Sequence, residues 1–124
     1  MNVLAFFYVF FGGGLGAICR YGISLVAAKP SNGFPLSTFL ANVISCIVLG
    51  FLMAFFLNQD VGTRMRLLWM TGFCGGFSTF STFSAENFEL IQQGNYTMAF
   101  IYMLASFAVC IFCIFLGWKM GNMV

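Results

Sequence analysis

Four apolar segments, each long enough to cross a bilayer as a helix, take up most of this chain and leave it little with which to face water. They run from about Val3 to Ala28, from after Pro35 to near Leu57, from about Leu67 to Phe88, and from about Met98 to Trp118. Roughly 20 mostly apolar residues suffice for one helical crossing. Only five basic and three acidic side chains occur among 124 residues, of which 61% are hydrophobic. That is too little charge to cover a soluble domain of this size. The pattern predicts an all-α integral membrane protein: one domain over residues 1–124 with four transmembrane helices. The first segment has no basic stretch before it and runs through a glycine cluster instead of toward a cleavage site, so it reads as a retained helix.

The connections are short, spanning 29–34, 58–66 and 89–97, with Pro30, Gly33 and Pro35 marking the first turn and Gly94 with Asn95 the third. Four crossings put both termini on one side, together with Arg64, Arg66 and Lys119; Lys29 and, at its edge, Arg20 fall on the other. Orientation follows an asymmetry of basic residues, and three against two is hardly one. The chain can therefore insert both ways, which permits an antiparallel homodimer with its two-fold axis in the membrane plane. A net charge of +2 without any basic run offers nothing to nucleic acid. With no histidine, the usual general base is missing, and the expectation is a protein that is not an enzyme. Cys110 and Cys113 have a Cys-x-x-Cys spacing, but their apolar flanks make them small helix-packing residues.

The third segment is the unusual one. Gly72 to Phe83 reads Gly-Phe-Cys-Gly-Gly-Phe-Ser-Thr-Phe-Ser-Thr-Phe, with three glycines that each cost about 1 kcal/mol inside a helix. Broken backbone survives in hydrocarbon only where protein buries it or where it lines a polar path. The run therefore predicts a helix broken near the membrane centre, with the break over Gly75 to Ser78. Phe77, Phe80 and Phe83 share a helical face, interleaved with Ser78, Thr79, Ser81 and Thr82. A phenyl ring has a positive edge, so rings and hydroxyls together can hold a small anion without a full positive charge.

The neighbouring segments add polar faces of their own. Thr38, Asn42 and Ser45 lie one turn apart on the second, and Tyr102, Ser106 and Cys110 do so on the fourth. Interhelical hydrogen bonding accounts for Ser45 and Cys110, whereas the Asn42 amide is costly to bury unpaired and is as much a functional as a structural candidate. Gly12, Gly13, Gly14 and Gly16 favour close helix packing. Arg20 either snorkels or draws anions into a vestibule. Glu86, a carboxylate at membrane depth, is a functional candidate by default.

These motifs resemble the Fluc (CrcB-type) fluoride channels. The resemblance is carried by Gly13 to Tyr21, by Asn42 and by Gly72 to Phe83, and it extends over essentially the whole chain. Phe77-Ser78 departs from it, where a smaller aliphatic residue and threonine are expected. The resemblance implies a dual-topology, antiparallel homodimer in the bacterial inner (plasma) membrane. Two fluoride pores would export the ion passively and confer fluoride resistance. It implies that Phe80, Phe83, Asn42, Ser81, Thr82, Tyr102 and Ser106 line the pore, with Arg20 and Glu86 at the vestibules. It also implies a structural Na⁺ on the two-fold axis, held by the backbone carbonyls of Gly75 and Ser78 from each subunit. The competing expectation is a small multidrug-type, proton-coupled exporter, which needs a carboxylate in the first span; this one has none.

Overall fold

The computed structural model describes residues 2–124, and among them every regular element is a helix. Three helices are long and apolar enough to cross a membrane: α1 (Val3–Val26), α2 (Leu36–Asn58) and α5 (Tyr96–Gly121). The third apolar segment is two helices. α3 covers 63–77; it is α-helical over Thr63–Arg66, π-helical over Leu67–Cys74 and α-helical again over Gly75–Phe77. α4 covers Phe80–Gln92. Its 13 residues rise about 20 Å, short of the roughly 30 Å of bilayer hydrocarbon.

The break lies at Ser78–Thr79, which are extended (φ −78°, ψ 157° and φ −150°, ψ 116°). It therefore overlaps the expected break only at Ser78 and falls after the glycines, where helix propensity alone would have begun it. The glycines lie within α3 because they are used for contact. A methyl group on Gly72 would sit 2.9 Å from the Cα of Gly12, and one on Gly76 would strike the carbonyl oxygen of Gly13. From the other side, a methyl on Gly12 would strike the Leu68 carbonyl, and one on Gly16 the Phe73 carbonyl. α1 and α3 thus touch backbone to backbone, the arrangement small residues permit where no hydrophobic drive separates helix from lipid. The packing outweighs the propensity cost.

α2 and α5 form the second close seam. Gly50 lies against Ile114, and Gly117 against Ile47 and Phe51. The two helices run parallel in register. Asn58 donates to Asn122 at 3.1 Å, 64 residues on; Gly50 meets Ile114 at the same offset. Thr38 and Tyr102, again at that offset, share one acceptor, Glu86. The tight turns leading into α2 and α5 use Gly33 (φ 80°) and Gly94 (φ 74°), left-handed positions that glycine adopts without steric cost.

The glycine seams separate residues that sequence alone treats as alike. Gly12→Ala should destabilise the protein by about 1–3 kcal/mol, because its methyl meets rigid backbone. Gly14→Ala, which points into open space, should be neutral or stabilising by about 0.5–1 kcal/mol. Thermal unfolding in detergent would reveal the split, and equal effects would contradict the α1–α3 contact.

Candidate functional site

Everything of chemical interest gathers around the break. When the helix stops, Ser78 N–H still closes the last turn onto the Cys74 carbonyl (3.0 Å), but Thr79 N–H does not go on to Gly75. It donates to Asn42 Oδ1 at 2.8 Å, while Asn42 Nδ2 donates to the Thr79 carbonyl at 3.4 Å. One amide side chain therefore satisfies both orphaned backbone groups of the extended residue. The Thr79 side chain then starts the next helix, its Oγ1 accepting from Thr82 N–H at 3.3 Å in an N-cap. Ser45 Oγ and Ser78 Oγ donate to the Cys74 carbonyl at 3.1 and 3.0 Å, closing off the end of α3.

The polar face of α2 is thus read residue by residue: Thr38 serves Glu86, Asn42 serves Thr79, and Ser45 serves Cys74. Asn42, expected in the permeation track, holds the break together. Glu86 on α4 accepts from Thr38 Oγ1 at 2.6 Å and from Tyr102 OH at 2.7 Å, so each carboxylate oxygen has a donor. The Tyr102 hydroxyl, also expected in the track, is committed to Glu86, and its ring packs 5.0 Å from that of Phe83.

Two cavities meet at Thr79. One, of about 270 Å³, is lined by Arg20, Ser24, Thr38, Thr79, Thr82 and Glu86 among others. Arg20 Nε is buried there without a partner. The Thr82 hydroxyl accepts from Thr79 Oγ1 at 3.1 Å and so keeps its own hydrogen for a ligand. The second cavity, of about 200 Å³, is lined by Asn42, Ser78, Thr79, Phe80, Phe83 and Ser106. Ser106 Oγ is buried and has no partner. Phe83 is buried between Phe80 (centroids 5.7 Å apart) and Phe107 (6.0 Å, interplanar angle 80°). Phe80 is 73% exposed and Ser81 is exposed, on the outside of this single chain.

The fold thus brings Arg20, Thr82 and Glu86 to one cavity and Asn42, Phe80, Phe83 and Ser106 to the other; Tyr102 backs the wall between Glu86 and Phe83, and Ser81 reaches the site only through its hydroxyl, 3.3 Å from that of Thr79. Thr38 and Thr79, singled out from sequence only as members of polar faces, also belong to the site. The i, i+4, i+7 face of Thr38, Asn42 and Ser45 was the signal for the first. Gly75 and Ser78 also differ from their neighbours. The donors that a continuous helix would bring to their carbonyls, Thr79 N–H and Thr82 N–H, are taken by Asn42 and by the Thr79 hydroxyl. Both carbonyls are left as hard oxygen ligands, the type that suits a hard cation.

The clamp can be tested directly. Asn42→Ala strands a part-buried N–H and C=O and should cost about 1–3 kcal/mol. Asn42→Asp keeps an acceptor for Thr79 N–H and loses only the donor to its carbonyl. Unfolding midpoints should therefore differ least for Ser37→Ala, a residue outside the clamp, and an Asn42→Ala protein as stable as the parent would refute the clamp.

Comparison with known proteins follows the same lines. A family model described as CrcB-like protein, Camphor Resistance (CrcB), matches residues 7–118. A Pyrococcus abyssi protein named fluoride-specific ion channel FluC is 43% identical over 123 residues, 98% of this chain and 99% of its own length. Relatives of the same name from Pyrococcus furiosus (44% over 115 residues, 92% and 93%) and Campylobacter fetus (40% over 121 residues, 95% and 94%) align nearly end to end as well. The match spans α1 to α5 and includes both glycine seams and the clamped break, and on it the chain belongs to the CrcB, or Fluc, family.

Proposed function

We propose that this protein is a fluoride-selective ion channel that lets fluoride leave the cytoplasm passively. The observation that carries this reading is the clamped break itself. Two cavities meet at Thr79, one polar and one walled by phenyl rings with a free hydroxyl, in a chain whose near full-length relatives are named fluoride-specific channels. Fluoride is small and holds its water strongly, so a pore must offer donors at close range. The hydroxyls of Thr82 and Ser106 and the ring edges of Phe80 and Phe83 offer such contacts without a full positive charge. A cationic ligand in the path would bind the ion too firmly to release it. Arg20, at the polar cavity, raises the local anion concentration from the side. Ser81 and Tyr102 complete the track, and Glu86, satisfied by Thr38 and Tyr102, keeps those donors ordered at one mouth.

The channel works as an antiparallel, dual-topology homodimer with two pores in the inner (plasma) membrane. The parallel course of α2 and α5 supports four crossings, because residues 59–95 must then return the chain across the bilayer, with α3 and α4 sharing one passage. Exposed Phe80 beside the second cavity supports a partner that completes the pore wall. The carbonyls of Gly75 and Ser78 would hold a structural Na⁺ if two subunits bring them together on a two-fold axis. The loss of their helical donors to Asn42 and to the Thr79 hydroxyl favours it. When bound, that ion supplies a fixed positive potential to anions nearby while staying outside their path. The family description names camphor, a neutral molecule with one carbonyl, for which a row of hydroxyls and ring edges has no particular affinity. The proton-coupled exporter reading is weaker still, since α1 has no carboxylate and Glu86 has both oxygens occupied.

Liposomes loaded with potassium fluoride and holding the purified protein should empty rapidly when valinomycin is added, while chloride-loaded liposomes stay full. Efflux driven only by a pH gradient, with no response to valinomycin, would exclude a channel. Phe80→Ile should slow fluoride at least about tenfold, the loss of about 1.4 kcal/mol of ring-edge stabilisation, with the protein still folded. Replacing sodium with N-methylglucamine throughout should weaken dimer assembly or fluoride flux, and indifference of both to the exchange would dismiss the cation site.

A further inference from the structure

The α2–α5 register brings together two residues that the permeation reading leaves unused. With the offset that pairs Asn58 with Asn122 and Gly50 with Ile114, Cys46 falls opposite Cys110. Both thiols line the ring-walled cavity of about 200 Å³ beside Asn42 and Ser106. The register and the shared cavity wall set them side by side. Both are partly accessible, unlike Cys113, which is buried. Cys110, read from sequence as a small helix-packing residue, thus meets a second thiol across two helices that glycines hold in close contact.

We propose that Cys46 and Cys110 form a two-coordinate site for a soft, thiophilic divalent cation, Hg²⁺. The ligand count selects the metal. No cluster of three or more histidine, cysteine or acidic side chains able to hold a metal occurs among the described residues, so zinc, which takes four ligands in structural sites, is not served. Soft d¹⁰ ions prefer thiolates and accept two of them in a line. With Hg²⁺, two S–H bonds break, two S–Hg bonds form and two protons leave to water; sulfur and mercury keep their oxidation states. The product is neutral, which matters at membrane depth, where an uncompensated charge is costly. Because the thiols share a cavity with Phe80 and Phe83, the bound ion narrows it. That consequence, unlike the site, rests on the channel reading.

Native mass spectrometry of the detergent-solubilised protein, loaded with Hg²⁺ and then challenged with excess 2-mercaptoethanol, tests the site. Each wild-type protomer should keep one mercury at a mass gain of one Hg less two protons, because two preplaced thiols outcompete a monothiol. Cys46→Ser and Cys110→Ser should each lose it under the same challenge, whereas Cys113→Ser should keep it. Cys46→Ala and Cys110→Ala repeat the measurement if a serine variant fails to fold. Mercury retained without Cys46, or lost without Cys113, overturns the proposal. In the liposome assay the loaded protein should pass fluoride more slowly than the apo form. Undiminished flux with mercury retained would leave the site standing and count against a fluoride path through this cavity.

Discussion

A helix interrupted inside a membrane is tolerated only if something other than water satisfies its loose ends, and here that duty falls on one side chain. Asn42 donates to and accepts from the two backbone groups of Thr79, and the rest of the site depends on that pair of bonds. They free the Gly75 carbonyl from its helical donor. They orient Thr79 so that its hydroxyl caps α4. They also fix the direction in which α4 leaves, and with it the positions of Phe80, Phe83 and Glu86. An asparagine suits the position because it presents a donor and an acceptor in one plane, matching the N–H and C=O of a single extended residue.

The clamp in turn needs a rigid frame, which the glycines supply. Gly12 and Gly16 of α1 against Gly72, Phe73 and Gly76 of α3, and Gly50 and Gly117 at the α2–α5 seam, bring backbones into contact where bulkier side chains would hold them apart. In lipid, where apolar side chains gain nothing by leaving their surroundings, such close packing is the main source of helix association. The parallel register of α2 and α5 follows from it. That register places Thr38 beside Tyr102 at Glu86, Asn42 beside Ser106 at the ring-walled cavity, and Cys46 beside Cys110. Three chemically different pairs thus share one geometric cause.

The two sides of the break differ in a manner that suits an anion path. Toward Arg20 the lining is hydroxyls and a satisfied carboxylate; toward Phe107 it is rings and the unpartnered hydroxyl of Ser106. On the proposed channel reading, an anion passing Thr79 would exchange a polar, electrostatically assisted mouth for a wall of ring edges and a few donors. Phe80, 73% exposed, stands at the open edge of that wall.

Much of this was legible in the residues themselves. Hydropathy and the scarcity of charge determined a helical membrane protein, since backbone buried in hydrocarbon must bond within its own helix. The Gly72 to Phe83 motif determined the family and marked the third segment as the irregular one. Sequence reasoning misplaced the break by a few residues, because propensity counts what glycine costs in isolation and not what it gains against α1. Spacing also put Asn42 and Tyr102 on polar helix faces without showing which partners those faces meet, Thr79 for one and Glu86 for the other. Only the tertiary structure decided that Asn42 holds Thr79, that Tyr102 holds Glu86, and that Cys110 shares a cavity wall with Cys46. The physical reason is the same in each case: a hydrogen bond or a thiol pair joins residues distant in sequence, and helix packing sets their register.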